Sequence, residues 1–526
     1  MVALARQFWH HGLSVCEEPS HLAGSPPHLI GYSADPSLRW TWPMLTFLQS
    51  IAVVAAMWAP PAATPAVTVS YYKQVRPLFQ VHCQGCHQPA KAQGGYIMTS
   101  YESLLKAGDR SMAGVVPGQP DKSFLIDQIM PHGDKRGEMP RGADPLLAKD
   151  VELIRAWVAQ GAKNDTPKNA LDSIDAEHPP TYVLPPVITS LEYSPDGSTL
   201  AANGFHEVFL FSAADGKPQA RLIGLSEQVQ SVSYSPDGKF LAVSGGSPGR
   251  FGEIQIWDIA KRKLKVAAPF TGDTLYGVSW SPDGKLVAFG GADNNLRAID
   301  STTGKQVLFQ GAHNDWVLGT SFGRDGKYLI SVSRDRTLKL TDVTTQRFID
   351  NVTSITPGAL KGGLQVALVR PGAERKMFKA ASIAVGSTDE KLFEELLIGG
   401  ADGIPRLYKM HRETKRVIGD DANKIREYAA LLGRINAAVF SPDGARFAVG
   451  SSLDGVGMVR VYQTADAKQV SQFEGALPSV YALTWKPDGS AVAVGGFDGT
   501  VRQFDPNTGK LKSQFVVAPA TVTAAR

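Results

Sequence analysis

One tetrapeptide recurs along the second half of the chain and limits the folds open to it. Successive copies lie 41 to 46 residues apart, except for one gap of 118 residues. Ser-Pro-Asp-Gly begins at Ser194, Ser235, Ser281 and Ser441, with variants at Gly323 to Gly326 and Lys486 to Gly489. Each copy joins two short apolar runs, because Asp-Gly supplies the positive φ of a tight hairpin turn. A period of this length predicts repeated four-stranded units.

The repeats resemble WD repeats over roughly 187 to 517, although only Ile256-Trp257-Asp258 keeps the terminal Trp-Asp. The long gap has room for one more unit, visible as apolar runs at Leu364 to Val369, Leu396 to Gly403 and Pro405 to Tyr408, with a charged insertion around Thr388 to Glu395. The resemblance implies an all-β, seven-bladed WD-type propeller over residues 187–520. Its blades would start near residues 187, 229, 274, 316, 364, 435 and 479.

The propeller sequence offers no assignable catalytic group. His313 follows Gly311-Ala312 near a blade start, where WD repeats use a histidine in a structural hydrogen-bond network, so we expect a structural role for it. Ser-His-Asp sets, carboxylate pairs and metal-ligand clusters cannot be assembled from the repeats. A catalytic propeller is an outside alternative.

The chemistry predicted for the chain comes from a second motif, Cys83-Gln84-Gly85-Cys86-His87. Two thiols three positions apart on a helical turn can each add to a vinyl group of one haem, and the following histidine can then ligate the iron. This C-x-x-C-H pattern predicts Cys83 and Cys86 as thioether anchors and His87 as the proximal ligand of one covalent haem c. Structural zinc and a redox dithiol are the alternatives. Zinc would have to recruit Cys16, His82 or His132, and no α/β alternation surrounds the motif to suit a thioredoxin-like dithiol.

Helical patterns flank this motif. Apolar residues recur at helical spacing from Tyr71 to Val81, and a second stripe from Val151 to Val158 ends at Gly161. The segment from Tyr71 to Ala162 resembles the planctomycete-type cytochrome c domain in several spaced motifs: Val75 to Phe79, Gly95, Val115 to Leu125, Met139-Pro140 and Trp157 to Ala162. The resemblance implies a small all-α, class I-like cytochrome c fold with Met139 as second axial ligand of the iron.

Other axial ligands are possible, and the surroundings of Met139 are charged. A thioether stabilises ferrous iron and suits an electron carrier, but Met130 and His132 compete with Met139, and an open site is a further alternative. Arg141 stands where the family often has a second proline. Lys135, Arg136 and Arg141 form either a solvated loop or a basic rim for an acidic redox partner or a haem propionate.

The N-terminal sequence predicts export. Residues 1–66 form a leader with a signal-like apolar core from Met44 to Ala59, and we expect cleavage near Ala63 or Ala66. An uncleaved segment would be the only route to membrane association. Because bacteria attach haem covalently outside the cytoplasm, a periplasmic or otherwise exported protein agrees with the motif. A net charge of +4 on 526 residues gives no sign of a nucleic-acid partner.

The parts combine into a multidomain prediction. A mono-haem cytochrome c domain at 67–165 is followed by a Pro-rich linker at 166–186 and the propeller at 187–520. We expect one-electron transfer through a His/Met haem, with iron held by His87 and Met139 and a redox partner protein docking on the haem edge or the propeller face. The alternatives are a peroxidase- or oxidase-like haem enzyme with an open iron site, and a haem sensor on a protein- or glycan-binding propeller.

Overall fold

The computed structural model describes residues 68–519, with gaps at 90, 134, 142–143, 168–173, 176–177, 312, 355–359, 373–376, 382–387, 416 and 418. The predicted leader and its cleavage positions lie outside the described residues, and so does part of the predicted linker. Within the described residues, no helix is long and apolar enough to span a bilayer. The fold is mostly β-sheet, with its few helices near the N-terminal end.

Among the described residues, the helices all precede residue 160. A π-helical turn at Tyr71–Val75 runs into α1 (Arg76–His82), and the other helices are α2 (Tyr101–Leu104), α3 (Phe124–Ile129) and α4 (Ala148–Ala159). Short 3₁₀ turns lie at Gln93–Gly95 and Pro120–Lys122. The Ser70 side chain caps the first turn by accepting from the Lys73 backbone N–H at 2.9 Å. Pro77 is tolerated because it stands at the start of α1, where its missing N–H has no intrahelical acceptor.

One apolar core holds these helices together. Tyr71 stacks on Trp157 of α4 with ring centroids 5.3 Å apart, and Phe79 of α1 meets the same indole edge-on at 6.3 Å. The indole N–H donates to the Lys163 backbone carbonyl at 3.0 Å. Phe79 and Trp157 are at most 1% exposed, so the two apolar stripes seen in the sequence meet in one core.

The N-terminal part is not purely helical. Two short strands, β1 (His87–Gln88) and β2 (Lys91–Ala92), pair as an antiparallel hairpin directly after the haem-attachment turn. The Gln93 backbone N–H donates to the Cys86 carbonyl at 3.0 Å, which closes the chain back on the turn. This hairpin departs from the all-α prediction for residues 67–165, because Pro89 between the two strands has no backbone N–H and favours a turn over a continued helix.

Antiparallel strands make up the rest of the chain. The first sheet has seven strands in chain order: β3 (Leu191–Tyr193), β4 (Thr199–Asn203), β5 (Phe205–Ser212), β6 (Pro218–Tyr234), β7 (Phe240–Ser247), β8 (Phe251–Asp258) and β9 (Lys263–Thr271). Two four-stranded sheets follow, β10 (Leu275–Trp280), β11 (Leu286–Gly291), β12 (Leu296–Asp300) and β13 (Gln306–Gln310), then β14 (Val317–Phe322), β15 (Tyr328–Ser333), β16 (Leu338–Asp342) and β17 (Phe348–Asn351). Strand β6 continues from one four-stranded unit into the next.

The remaining sheets keep the same order with one insertion. Strand β18 (Leu364–Val369) pairs with β21 (Glu395–Gly400), followed by β22 (Arg406–Lys409) and β23 (Lys424–Glu427), while β19 (Met377–Ala381) and β20 (Thr388–Leu392) form a separate hairpin between them. Next come β24 (Arg434–Phe440), β25 (Arg446–Leu453), β26 (Val456–Gln463) and β27 (Gln469–Gln472), with β28 (Leu477–Pro478) beside β26. The last sheet is β29 (Val480–Trp485), β30 (Val492–Gly496), β31 (Thr500–Phe504) and β32 (Leu511–Val516).

The recurring tetrapeptide builds the same turn each time. In the second copy the Ser235 hydroxyl donates to the Asp237 carboxylate at 2.7 Å and accepts from the Phe240 backbone N–H at 2.9 Å. Gly238 has φ +71°, which glycine adopts without steric cost. The copies at Ser194, Ser281 and Ser441 repeat these bonds within 0.2 Å. The motif is therefore explained by local turn chemistry.

The first and last sheets are in contact. The Tyr193 backbone N–H of β3 donates to the Thr484 hydroxyl of β29 at 3.3 Å, and the Ile188 N–H donates to the Gly496 carbonyl at 2.9 Å. Ile188 is fully buried in a cluster that also contains Leu191, Ala482 and Ala493. The two ends of the repeat region thus share one core.

Candidate functional site

The haem-attachment motif forms one turn after α1. The Cys83 backbone N–H still bonds to the Phe79 carbonyl, and the N–H groups of Cys86 and His87 both donate to the Cys83 carbonyl at 3.1 Å. This closed turn brings Cys83, Cys86 and His87 together, as the spacing predicts. Both cysteines are half-buried and unbridged. The thiols are therefore available for thioether formation.

The environment of Cys83 disfavours the two thiolate alternatives. Burial raises the pKa of the Cys83 thiol to about 12, with the neighbouring Cys86 adding to the effect. Redox dithiols and zinc ligands depend on an accessible thiolate, so they occur where the thiol pKa is lowered. Within the described part of the chain, no group of three or more His, Cys, Asp or Glu side chains could hold a metal ion. The turn suits a thioether better than thiolate chemistry.

The His87 ring is oriented by a backbone carbonyl. Its Nδ1 lies 3.1 Å from the Tyr96 carbonyl oxygen, which can only accept, so Nδ1 carries the proton. Nε2 is then the nitrogen that keeps a lone pair for a metal. Burial is the main cause that lowers the pKa of His87, which favours the neutral ring that iron requires. The donor set and its protonation therefore fit the haem that the motif implies.

Tyr96 is a supporting residue that the motif does not reveal. Its hydroxyl donates to the Leu104 carbonyl at 2.8 Å, and its ring meets the His87 ring edge-on at 5.8 Å. The Met98 backbone N–H donates to the His87 carbonyl at 2.8 Å, which fixes this segment alongside the turn. The spacing of nine residues between His87 and Tyr96 carries no recognisable signal, so only the folded chain identifies the pair.

The three candidates for the second axial position differ in their contacts, although Met130 packs against the same core as Met139. Met139 is half-buried and packs against the same core as Cys83. Its backbone N–H donates to the Gln128 carbonyl at 3.0 Å, which ties its loop to the end of α3. The Met130 sulfur already accepts from Arg155 Nη1 at 3.6 Å. His132 is exposed, with Nε2 2.9 Å from the Asp127 backbone carbonyl. These contacts favour Met139, which stays a prediction.

The two residues between the cysteines face other parts of the chain. Gln84 is 4% exposed and donates through Nε2 to the Met98 carbonyl at 2.8 Å. Gly85 is buried against β9, where a Cβ on it would lie 2.9 Å from the Ala267 carbonyl oxygen and 3.6 Å from Pro269 Cδ. Its φ is outside the left-handed region, so close packing and not backbone conformation calls for glycine. The repeat region therefore contacts the haem-attachment turn directly.

The predicted basic rim near Met139 is solvent-facing. Lys135, Arg136 and Arg141 are exposed. The backbone N–H of Lys135 bonds to the His132 carbonyl at 3.1 Å, so this loop is a tight turn with its charges outward. Both the solvated-loop and the basic-rim interpretations agree with that placement.

His313 lies in a buried hydrogen-bond network. Its Nδ1 is 3.0 Å from the Asp335 carboxylate and its Nε2 is 2.8 Å from the Ser331 hydroxyl, and the ring side chain is fully buried. Thr337 adds a hydroxyl bond to Asp335 at 2.7 Å. These contacts join the entry to β14 with β15 and the turn after it, as expected of a structural histidine.

Comparisons with known proteins agree with the two sequence motifs. A family described as Planctomycete cytochrome C matches residues 83–141, a stretch that contains all four predicted haem-site residues. A family described as WD domain, G-beta repeat matches residues 216–258, 264–300, 304–342 and 467–505. No curated protein showed significant similarity to the chain. The predicted fusion of a planctomycete-type cytochrome c domain with WD repeats is therefore confirmed.

Proposed function

We propose that this protein is an exported c-type cytochrome that carries single electrons. One haem c would be held covalently by Cys83 and Cys86, with His87 and Met139 as axial ligands of the iron. Bound there, it would supply a one-electron couple, with ferric iron reduced to ferrous by a donor protein and reoxidised by an acceptor protein. The protein would work outside the cytoplasm, where bacteria attach haem covalently.

The observation that carries this proposal is the orientation of His87. A proximal histidine needs a neutral ring with one nitrogen fixed by a hydrogen bond and the other left for iron. The Tyr96 carbonyl supplies that bond, and burial keeps the ring neutral. Met139 completes the donor set from the opposite end of the matched family segment. With both axial positions filled, electron transfer is favoured over chemistry at an open iron site.

The repeat region would be a closed seven-bladed propeller that serves as scaffold for partner docking. Three observations support this: the strand order is the same throughout, β6 spans two four-stranded units, and the first and last sheets share a core. Seven blades close a ring without strain and leave only short edges. The unit at β18, β21, β22 and β23 adopts the same order although no WD repeat match covers it.

An absorption spectrum tests the proposal. The full chain is co-expressed with a haem-attachment system, extracted with acid acetone, and measured oxidised and dithionite-reduced. We expect the haem to stay with the protein and the oxidised spectrum to show the long-wavelength methionine-to-ferric-iron band. Covalent haem without that band would contradict His/Met ligation and point to an open site. Absence of haem would overturn the proposal.

A further inference from the structure

The outer strand β9 is more covered than the outer strands β13 and β32. In β32, which ends the last sheet, five of six residues are exposed, and in β13 three of five are exposed. In β9 only Lys263, the first of nine residues, is exposed. The cover is the haem-attachment turn, since Gly85 lies against Ala267 and Pro269 and the β1–β2 hairpin contacts the same strand. Ala267, Ala268 and Pro269 have small side chains, so the haem-attachment turn can pack closely against β9.

The hairpin that leads into β9 is unusually basic. It carries Lys261, Arg262 and Lys263, and Lys265 follows inside the strand. Two corresponding hairpins, at Asp215 to Lys217 and at Asp466 to Lys468, each carry one lysine near an aspartate. Here one carboxylate, Asp258, pairs with Lys261 at 3.1 Å. In the part of the chain that the structure describes, Arg262 and Lys263 form no ion pair.

Lys91 adds a further cation from the haem-attachment side of β9. Lys91 lies in β2 and pairs with Gln88, while the adjacent pair joins His87 to Ala92. Strand β2 contacts β9, so Lys91 and the basic hairpin belong to the same edge of the molecule. The Lys265 ammonium lies 4.3 Å from the centroid of the Phe240 ring. We call these five cations the basic edge: Lys91, Lys261, Arg262, Lys263 and Lys265.

We propose that the basic edge is the docking surface for an acidic protein partner, which would be the electron donor or acceptor. The inference rests on the proposed function for its biological meaning, but the charge cluster and its position are independent of haem. Two separate parts of the chain contribute to it, and both adjoin β9: Lys91 through the contact of β2 with β9, and the hairpin through its direct continuation into that strand. A partner seated there would lie next to the motif turn.

The physical role expected of such a surface is steering. A patch of one charge sign raises the association rate of an oppositely charged protein by about tenfold to a thousandfold, and the effect falls steeply with ionic strength. The net charge of +4 does not reveal this cluster, because 54 basic residues are nearly balanced by 50 acidic residues over the whole chain. Its position beside the haem-attachment turn distinguishes it from a merely solvated hairpin.

Binding of a fluorescein-labelled deca-glutamate peptide, followed by fluorescence anisotropy at low salt, tests the surface on the full chain. In the variant Lys261→Glu/Lys263→Glu we expect about tenfold weaker binding than in the wild type. The matched control is Lys510→Glu/Lys512→Glu, which makes the same charge change at the exposed entry to β32, with Lys510 in the preceding hairpin and Lys512 in the strand. It should bind within about twofold of the wild type. Equal losses in both variants, or no loss in either, would overturn the inference.

Two further measurements distinguish a failure of the docking inference from a failure of the proposed function. Oxidation of the dithionite-reduced protein by hexacyanoferrate(III) should slow about tenfold in the first variant at low salt and converge with the wild type at high salt. Peptide binding without any haem spectrum would leave the basic edge standing and overturn the proposed function. Binding to phosphatidylglycerol vesicles that the first variant loses, with peptide binding unchanged, would assign the edge to a membrane surface and overturn the protein-partner inference.

Discussion

The assignment of Met139 depends on contacts of single side chains. Met139→Ala should abolish the long-wavelength band and lower the reduction potential by about 0.1 V or more, within the span of about 0.8 V that axial ligands control. The physical reason is that a thioether stabilises ferrous iron and alanine offers no ligand. Absorption spectroscopy and potentiometry measure both effects.

Met130→Leu is the matched control, because the Met130 sulfur is engaged by Arg155 and leucine conserves its apolar volume. It should keep the band and the potential. If Met130→Leu loses the band and Met139→Ala retains it, the ligand assignment is wrong.

The lowered pKa of Asp335 leads to a second prediction about a single residue. Burial alone would raise its pKa, but hydrogen bonds from His313, the Asn314 backbone and Thr337 hold that pKa well below its usual range. A carboxyl with a lowered folded-state pKa stabilises the protein above its unfolded pKa of about 4, and this stabilisation is lost as the pH falls. Asp335→Asn should therefore lower the urea midpoint at pH 7 by an amount equivalent to about 1–3 kcal/mol.

The difference between Asp335→Asn and the wild type should begin to shrink as the pH falls below about 5, because the carboxyl of the unfolded wild-type chain is protonated there while the folded carboxyl, with its lower pKa, stays ionised. Asp454→Asn serves as the control, since Asp454 is an exposed turn residue and should show little change at any of these pH values. A deficit for Asp335→Asn that is independent of pH would contradict a role for the ionised carboxylate.

The haem-site residues differ in how far sequence could reveal them. Cys83, Cys86 and His87 are adjacent in the chain, so covalent spacing alone predicts their chemistry. The choice between Met130 and Met139 depends on which sulfur Arg155 engages, a contact across 25 residues. Tyr96 contributes a backbone carbonyl, which every residue has, and no side-chain pattern can mark it.

At the scale of elements, the contact between the haem-attachment turn and β9 makes a third prediction. Gly85→Leu should separate the two, because even a Cβ would lie 2.9 Å from the Ala267 carbonyl oxygen. Overpacking of this kind costs about 1–3 kcal/mol, enough for roughly a tenfold rise in local opening. Amide hydrogen exchange should increase together in residues 84–92 and 263–271.

Gly94→Asn is the control for this substitution. Gly94 lies in the same loop region with φ +61°, which asparagine tolerates, and nothing lies within 4 Å of its Cβ position. Exchange in both segments should stay at the wild-type level. If Gly85→Leu raises exchange in the turn but leaves 263–271 unchanged, the contact does not hold the two parts together.

The sequence predicted some of the secondary-structure elements and missed others. The hairpin turns follow from Ser, Asp and Gly within four residues, so each copy of the tetrapeptide marks a turn between two consecutive strands. The unit containing β18 and β21 was predicted from its apolar runs despite the long gap. The β1–β2 hairpin was not, because two-residue strands have no periodicity to detect.

At the scale of the whole molecule, the shared core of the first and last sheets makes a fourth prediction. Ile188→Ala should lower stability by about 2–5 kcal/mol, since Ile188 is fully buried between the two ends of the repeat region. Hydrogen exchange should rise in both 191–212 and 480–504, although these segments are far apart in sequence.

Leu338→Ala is the comparison, because Leu338 is equally buried but packs in the core between β15, β16 and the sheet of β18. It should raise exchange there and leave the first and last sheets protected. If Ile188→Ala affects 191–212 alone, the two ends do not close on one another in solution.

By itself, the sequence determined what is local or periodic. The haem-attachment chemistry follows from five consecutive residues, and the repeated sheets follow from turn residues at a constant period. The tertiary structure decided what depends on distant contacts: the carbonyl that orients His87, the contact of Arg155 with the Met130 sulfur, and the packing of the motif turn against β9. These contacts join residues through packing and backbone hydrogen bonds, and neither leaves a pattern along the chain.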